Sequence, residues 1–251
     1  MPRLNGGEIV AGYLEKEGVE YLVGIPGHGS TNLLDAFNES EIKVIQPRHE
    51  QGAAHLADGY ARASGEPLAV FTSIGPGATN TVTGVATAYV DSIPMVVFTG
   101  APQTHEYGQG ILQEIERQKP GNFPSVMEPI TKQIFVADDV ERLPRVLRRA
   151  FQIARSGRPG PVHVDIPMDV QGAAADVELP EPINHRPHSR PGGDPQTIDK
   201  AASLLENADR PLIIPGGGTM LAGAWDEVQA LAEYLKAPVS PTFQSKGIIP
   251  E

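Results

Sequence analysis

A chain of 251 residues with 40% hydrophobic and 20% charged side chains can bury a core; it is long for one domain and short for two complete ones. A net charge of −11 argues against a phosphate-tracking nucleic-acid binder, and the lack of any cysteine excludes disulfides, thiolate catalysis and Cys-ligated zinc. No stretch has the make-up of a signal peptide or the apolar length of a membrane span, so the expectation is a cytoplasmic protein with no membrane partner.

Ile9, Val10, Tyr13 and Leu14 share one face of a helix predicted over 6–17, which Gly18 stops. A β-rich run, VEYLVGI (19–25), ends at Pro26-Gly27. A helix over 31–38, a strand at 43–46 and a helix over 49–64 follow. Then come a strand at 67–72, a helix over 77–90 and a strand at 94–99. An irregular stretch runs to about 138, before a helix over 139–156 and a strand at 161–166. Nearly all-apolar strands alternating with helices predict a doubly wound α/β domain, a parallel sheet with helices on both faces, over 1–172. Residues 173–194 carry Pro180, Pro182, Pro187 and Pro191 and read as an extended linker, in which His185 and His188 are solvated. Beyond it a helix over 195–207, a strand at 211–215, Gly216-Gly217-Gly218, a helix over 222–235 and a strand at 238–242 predict the start of a second, Rossmann-like α/β domain over 195–251. Two strands make no stable sheet domain, so the expectation is one domain plus the opening of another.

The glycine-rich stretch TSIGPGATNTVTG (72–84) is close to the dinucleotide pattern G-x-G-x-x-G, with Asn80 in place of the third glycine. Asp91 precedes the next strand instead of ending it, and Pro76 removes an N–H from any phosphate cradle. An NAD-binding module is therefore disfavoured, and a plain strand-to-helix turn tied by Asn80 stays open. Ligands of open α/β sheets sit at the carboxyl ends of strands, where the loops 24–30, 46–51 and 73–80 emerge and converge if their strands are neighbours. Glu50 is the only carboxylate in these loops. It reads either as a catalytic proton carrier or as a helix-start acid. His49 and His55, beside it, read as structural.

GIPG (24–27), RHEQGAAHLADGYAR (48–62), TSIGPGATNTVTGVATAYVDSIPMVVFTG (72–100), QE (113–114), PITK (129–132) and ARSGRPGPVHVDIPMDV (154–170) together resemble the N-terminal part of acetolactate-synthase-like thiamine-diphosphate enzymes. The likeness covers nearly the whole chain. It implies thiamine diphosphate as cofactor, with its aminopyrimidine half in the first domain and Glu50 hydrogen-bonded to ring nitrogen N1′. Pro26, Gly27, Ser73, Gly75 and Asn80 then belong to the cofactor-side loops. His28 would face the substrate as a proton relay, a loop-tip histidine in water being the alternative, and Gln113 would lie near the substrate pocket. Arg158 and Gly216, Gly217 and Gly218 match flavin-side positions, so they would contact FAD if FAD is bound; a solvated Arg158 and a plain βα turn are the alternatives. Magnesium and the diphosphate belong, in that family, to a C-terminal domain with a Gly-Asp-Gly motif. Gly192-Gly193-Asp194 is not that motif, and no metal ligand is assigned in this chain. Family sites form between two chains, which implies a homodimer or homotetramer of the full-length protein.

The implied activity is decarboxylation or carboligation of a 2-oxo acid. Three departures bear on the substrate: Leu112 where the synthases usually carry phenylalanine, GHGST in the first loop, and a longer segment between Glu114 and Ile130. Two alternatives stay open. One is a relative acting on an aromatic 2-oxo acid, sulfoacetaldehyde or a cyclic diketone; the other is a non-catalytic cofactor-binding subunit that needs a partner. Residues 1–251 supplied with thiamine diphosphate and magnesium are expected to show no 2-oxo acid turnover, and measurable turnover would contradict that expectation.

Overall fold

The structure, a computed structural model, describes residues 1–115, 123–185 and 192–250. The chain divides into two units, residues 1–186 and 187–251. Parts of the long segment after Glu114 and of the proline-rich linker, His188 included, lie outside the described residues.

The first unit begins with β1 (Arg3–Asn5) and α1 (Gly6–Lys16). Asn5 and Glu8 cap α1 reciprocally, the Glu8 N–H donating to Asn5 Oδ1 (2.9 Å) and the Asn5 N–H to Glu8 Oε2 (2.7 Å). The helix buries Ile9, Val10, Tyr13 and Leu14, the face its periodicity predicts. The chain continues through β2 (Tyr21–Gly24), α2 (Thr31–Asp35), β3 (Lys43–Ile45), α3 (Glu50–Ser64), β4 (Leu68–Thr72), α4 (Pro76–Thr79), α5 (Val82–Asp91) and β5 (Met95–Ala101). It then forms α6 (Phe123–Met127), β6 (Gln133–Val136), α7 (Leu143–Arg155), β7 (Pro161–Pro167), α8 (Met168–Gly172) and β8 (Ala174–Asp176).

Six strands make one parallel sheet in the order β3-β2-β4-β5-β7-β6, flanked by helices as a doubly wound fold requires. Every residue of β4, β5 and β7 is buried, which explains their nearly continuous apolar runs. β2 has β3 on one side and β4 on the other, so the winding reverses between β2 and β4. The loops leaving these two strands open a crevice at the carboxyl edge of the sheet, the usual ligand position in such folds. Close helix packing completes the frame: a Cβ on Gly84 of α5 would lie 2.5 Å from Ala54 Cβ of α3, so these helices touch backbone to side chain.

The structure differs from the sequence reading in several places. β6 lies inside the stretch expected to be irregular; it is a four-residue edge strand too short to announce itself by periodicity. The helix expected over 77–90 is two helices, because the Thr79 and Thr81 hydroxyls donate back to the carbonyls of Pro76 (2.9 Å) and Ala78 (2.7 Å) and compete with the helical ladder. Residues 174–176, read as the start of a linker, form β8, antiparallel to β1. Ala175 and Val177 are buried and Leu179 packs on the core, an apolar alternation that the nearby prolines obscure. In the second unit, α9 (Pro195–Glu206), α10 (Gly217–Ala222) and α11 (Trp225–Leu235) are present, but the two expected strands meet only as a single parallel bridge, Ile213 with Val239. Among the described residues no helix is long and apolar enough to cross a membrane.

The turn out of β4 rests on Gly75, whose φ of 59° and ψ of −115° suit glycine alone. A Cβ there would lie 2.0 Å from the Gln113 carbonyl oxygen. Gly75→Ala is expected to destabilise the protein by about 1–3 kcal/mol in urea denaturation, a loss of the size that backbone strain produces. A change below about 0.5 kcal/mol would show that the turn relaxes freely.

Candidate functional site

Glu50 opens α3 at the carboxyl edge of the sheet. His49 is the N-cap, its Nδ1 accepting from the Gln51 N–H at 3.2 Å, which gives this histidine the structural role expected of it. The half-buried Glu50 carboxyl turns toward the loop after β4, where Asn80 Nδ2 donates to Oε2 at 2.9 Å. The second oxygen, Oε1, accepts no hydrogen bond among the described residues. It lies 3.2 Å from where a Cβ on Gly77 would stand, so the missing side chain of Gly77 leaves open space beside it. One oxygen is thus fixed, and the other has no partner among the described residues.

A second set of contacts is built on the same loop. Ser73 Oγ accepts the Gly29 N–H at 3.1 Å and donates to Gln113 Oε1 at 3.4 Å. His28 Nδ1 stands 3.3 Å from that Oε1. An amide oxygen only accepts, so Nδ1 carries the proton and Nε2 of a neutral His28 presents a lone pair. Gln113 is held with φ of 66°, an uncommon conformation for a side-chain-bearing residue. Glu114 organises the loop behind it, accepting the N–H groups of Gly108 and Gly110, both at 2.6 Å. Leu112 beside it is 69% exposed. Gly27 packs onto Ser73, where a Cβ would come within 2.5 Å of Ser73 Cβ, and Pro26 is exposed at the loop tip. Glu50, Asn80, Ser73, Gly75, Gly27, His28 and Gln113 therefore gather around the loops at one edge of the sheet.

Residues 4–120 match the family model described as the thiamine pyrophosphate enzyme N-terminal TPP binding domain, and residues 198–251 match that of the thiamine pyrophosphate enzyme central domain. The chain belongs to the thiamine pyrophosphate enzyme family. It is 43% identical over 253 residues to a probable acetolactate synthase large subunit of Methanocaldococcus jannaschii, an alignment covering 99% of this chain and 42% of that protein. The acetolactate synthase isozyme 1 large subunit of Escherichia coli is 38% identical over 250 residues, covering 99% of this chain and 43% of that protein. An acetolactate synthase of Arthrospira platensis is 39% identical over 254 residues, covering 98% and 42%. The chain thus spans less than half the length of these relatives.

The remaining family positions fall elsewhere. Arg158 Nε donates to Ser92 Oγ at 2.6 Å and an Arg158 Nη2 hydrogen to the Val90 carbonyl at 2.9 Å, so this arginine closes the carboxyl end of α5. Lys132 does the same for α7, donating to the carbonyls of Ile153 and Ser156. In the second unit, Gly216 is the N-cap of α10 and Gly217 and Gly218 begin that helix. A Cβ at Gly216 or Gly218 would meet nothing within 4 Å, so the packing of this chain does not itself demand either glycine. Asp194 caps α9, accepting from the Thr197 N–H at 2.8 Å and the Thr197 hydroxyl at 2.7 Å.

The sequence reading missed a buried polar cluster behind Gln113. Thr99 of β5 donates to Asp165 Oδ1 of β7 at 2.5 Å, and the His163 Nε2 lies 2.7 Å from the same hydroxyl. With the Thr99 proton committed to Asp165, Nε2–H is the donor to Thr99, and Nδ1 remains unpartnered among the described residues. The Tyr107 hydroxyl, also buried and unpartnered there, shares with Asp165, Gly75 and Gln113 a cavity of about 30 Å³, room for one water. Two polar residues at i and i+2 of an otherwise apolar strand, His163 and Asp165, are the signal that could have found it.

Burial pushes the Asp165 carboxyl up to about 7 and the His163 imidazole down to about 3. Tyr107 is raised by burial and then by the nearby charges of Asp165, Asp169 and Asp138. Both members of the Asp165–His163 pair are therefore neutral when folded in mild acid, whereas the unfolded chain carries a carboxylate and an imidazolium. The stability Asp165 contributes is present below about pH 4 and lost as pH rises to about 7; that of His163 is present above about 6.5 and lost as pH falls to about 3. Between about pH 4 and 6.5 the two slopes oppose and cancel. In urea denaturation, Asp165→Asn should therefore gain stability relative to wild type as pH rises from 4 to 7. His163→Gln should gain relative to wild type as pH falls from 6.5 to 3. Difference curves flat with pH would contradict the neutral pairing.

Proposed function

We propose that this chain provides the pyrimidine-binding side of a thiamine-diphosphate-dependent enzyme that decarboxylates a 2-oxo acid and joins the product to an acceptor, as the names of its relatives suggest. The observation that carries the reading is the Glu50 carboxyl, with one oxygen held by Asn80 and the other bare beside Gly77. That arrangement fits a flat heterocycle with a ring nitrogen: one fixed acid and an adjacent face cleared of side chains. When bound, thiamine diphosphate supplies the electron sink that takes up the pair released as the 2-oxo acid loses carbon dioxide.

The residues of this chain bind, orient and move protons. Glu50 holds or gives one proton at the ring nitrogen N1′, which acidifies the amino group attached to that ring. Asn80 keeps the carboxyl aimed, and Gly75 and Gly77 let the loop approach. His28 presents the Nε2 lone pair as a proton acceptor on the substrate side, with Gln113 and Ser73 fixing its ring. Among the described residues no group of three His, Cys, Asp or Glu could hold a metal ion. We assign the magnesium and diphosphate half of the site to a further domain and, by the family pattern, to a second copy of the chain. The words "large subunit" in the relatives' names support a smaller partner chain as well. FAD, if it is bound, would meet the Gly216, Gly217 and Gly218 turn of the second unit; Arg158, the other family position, already donates to Ser92 and the Val90 carbonyl.

Leu112, in place of the phenylalanine usual in the synthases, keeps a second reading of the substrate open, a relative acting on an aromatic 2-oxo acid, sulfoacetaldehyde or a cyclic diketone; a substrate profile of the full-length enzyme separates the two. For either substrate, Glu50→Gln in the full-length enzyme should cut turnover by about 10²–10⁴-fold, since glutamine hydrogen-bonds but exchanges no proton. Near wild-type turnover by a folded variant would reject the role.

A further inference from the structure

The loops that carry His28 and Gln113 come from different strands, yet the two side chains meet at 3.3 Å. What holds them in register lies below the site, on α8. Gln171 is buried there, 1% exposed, and uses both ends of its amide. Its Oε1 accepts the Leu33 N–H at 3.1 Å, and its Nε2 donates to the carbonyls of Gly29 and Ile166, both at 2.9 Å. The residue after His28 is thus gripped twice: the Gly29 N–H by Ser73 and its carbonyl by Gln171. Gly29 also lies directly on β5, since a Cβ on Gly100 would come within 2.1 Å of the Gly29 oxygen.

Two residues earlier on α8, Asp169 takes hold of the other loop. Its Oδ1 accepts the Thr104 N–H at 3.1 Å and its Oδ2 the Thr104 hydroxyl at 2.6 Å, at the root of the segment that leads to Gln113. One short helix therefore grips both walls. A buried amide with all its partners satisfied is costly to replace and rigid once formed.

We propose that α8 is a staple that sets the gap between His28 and Gln113, with Gln171 and Asp169 as positioning residues for the reaction. The catalytic part of this claim rests on the proposed function; the structural part does not. The test uses the full-length enzyme with Gln171→Met, similar in shape and without hydrogen bonds. A crystal structure should show the His28 to Gln113 contact opened beyond hydrogen-bond distance. Turnover should fall about 10–10²-fold, the scale of a misplacement near 1 Å. In a His28→Ala background the same substitution should cause no further loss, because it acts through His28. An intact contact in the variant, or losses that multiply independently, would overturn the staple. Should Gln171→Met not fold, Asp169→Asn paired with Gln113→Ala provides the equivalent cycle, with the same two outcomes. A wild-type enzyme inactive on every 2-oxo acid would refute the proposed function, while the crystallographic comparison would still decide the staple.

Discussion

The hydrogen bond from Asn80 to Glu50 ties the start of α3 to the loop after β4, and the rest of the site is arranged about that tie. It can form because the sheet reverses its winding between β2 and β4, and because Gly84 lets α5 lie against Ala54 of α3. Packing that close fixes the height of Glu50 relative to Asn80. A single carboxyl then has one oxygen satisfied and one exposed to whatever enters the crevice. The fold, and not the acid alone, sets this geometry.

Polar groups are buried under the site in two different ways. Gln171 has every hydrogen-bonding group matched, so it locks backbone in place. The Asp165–Thr99–His163 cluster shares too few partners, leaving His163 Nδ1 and the neighbouring Tyr107 hydroxyl bare among the described residues. Burial then favours the neutral forms, and folding in mild acid moves one proton from imidazole to carboxyl. A neutral pair lets the protein keep polar side chains in the middle of two fully buried strands.

Much of this was legible in the sequence where a pattern was long or chemically distinctive. The apolar face of α1, the continuous runs of β4, β5 and β7, and the glycine turn at Gly75 all announced themselves. Glu50 stood out as the only carboxylate among three convergent loops. Other features depended on contacts that no local pattern encodes. β6 and β8 are short edge pieces, and the partner of β8 is β1, at the start of the chain. The grip of Gln171 on Gly29 spans 142 residues, and Asp165 meets Thr99 only through strand register. The contacts of Arg158 with Ser92 and the Val90 carbonyl, 66 and 68 residues away, were likewise not encoded in its local motif.

In the proposed function the Glu50 carboxyl shares its proton with a ring nitrogen of the bound cofactor. The direct measurement is the ¹⁵N resonance of N1′-labelled thiamine diphosphate bound to the full-length enzyme, compared with the Glu50→Gln variant. Proton sharing predicts a wild-type signal displaced toward that of the protonated nitrogen, with the displacement lost in the variant. Identical resonances in the two proteins, both matching free neutral cofactor, would contradict it.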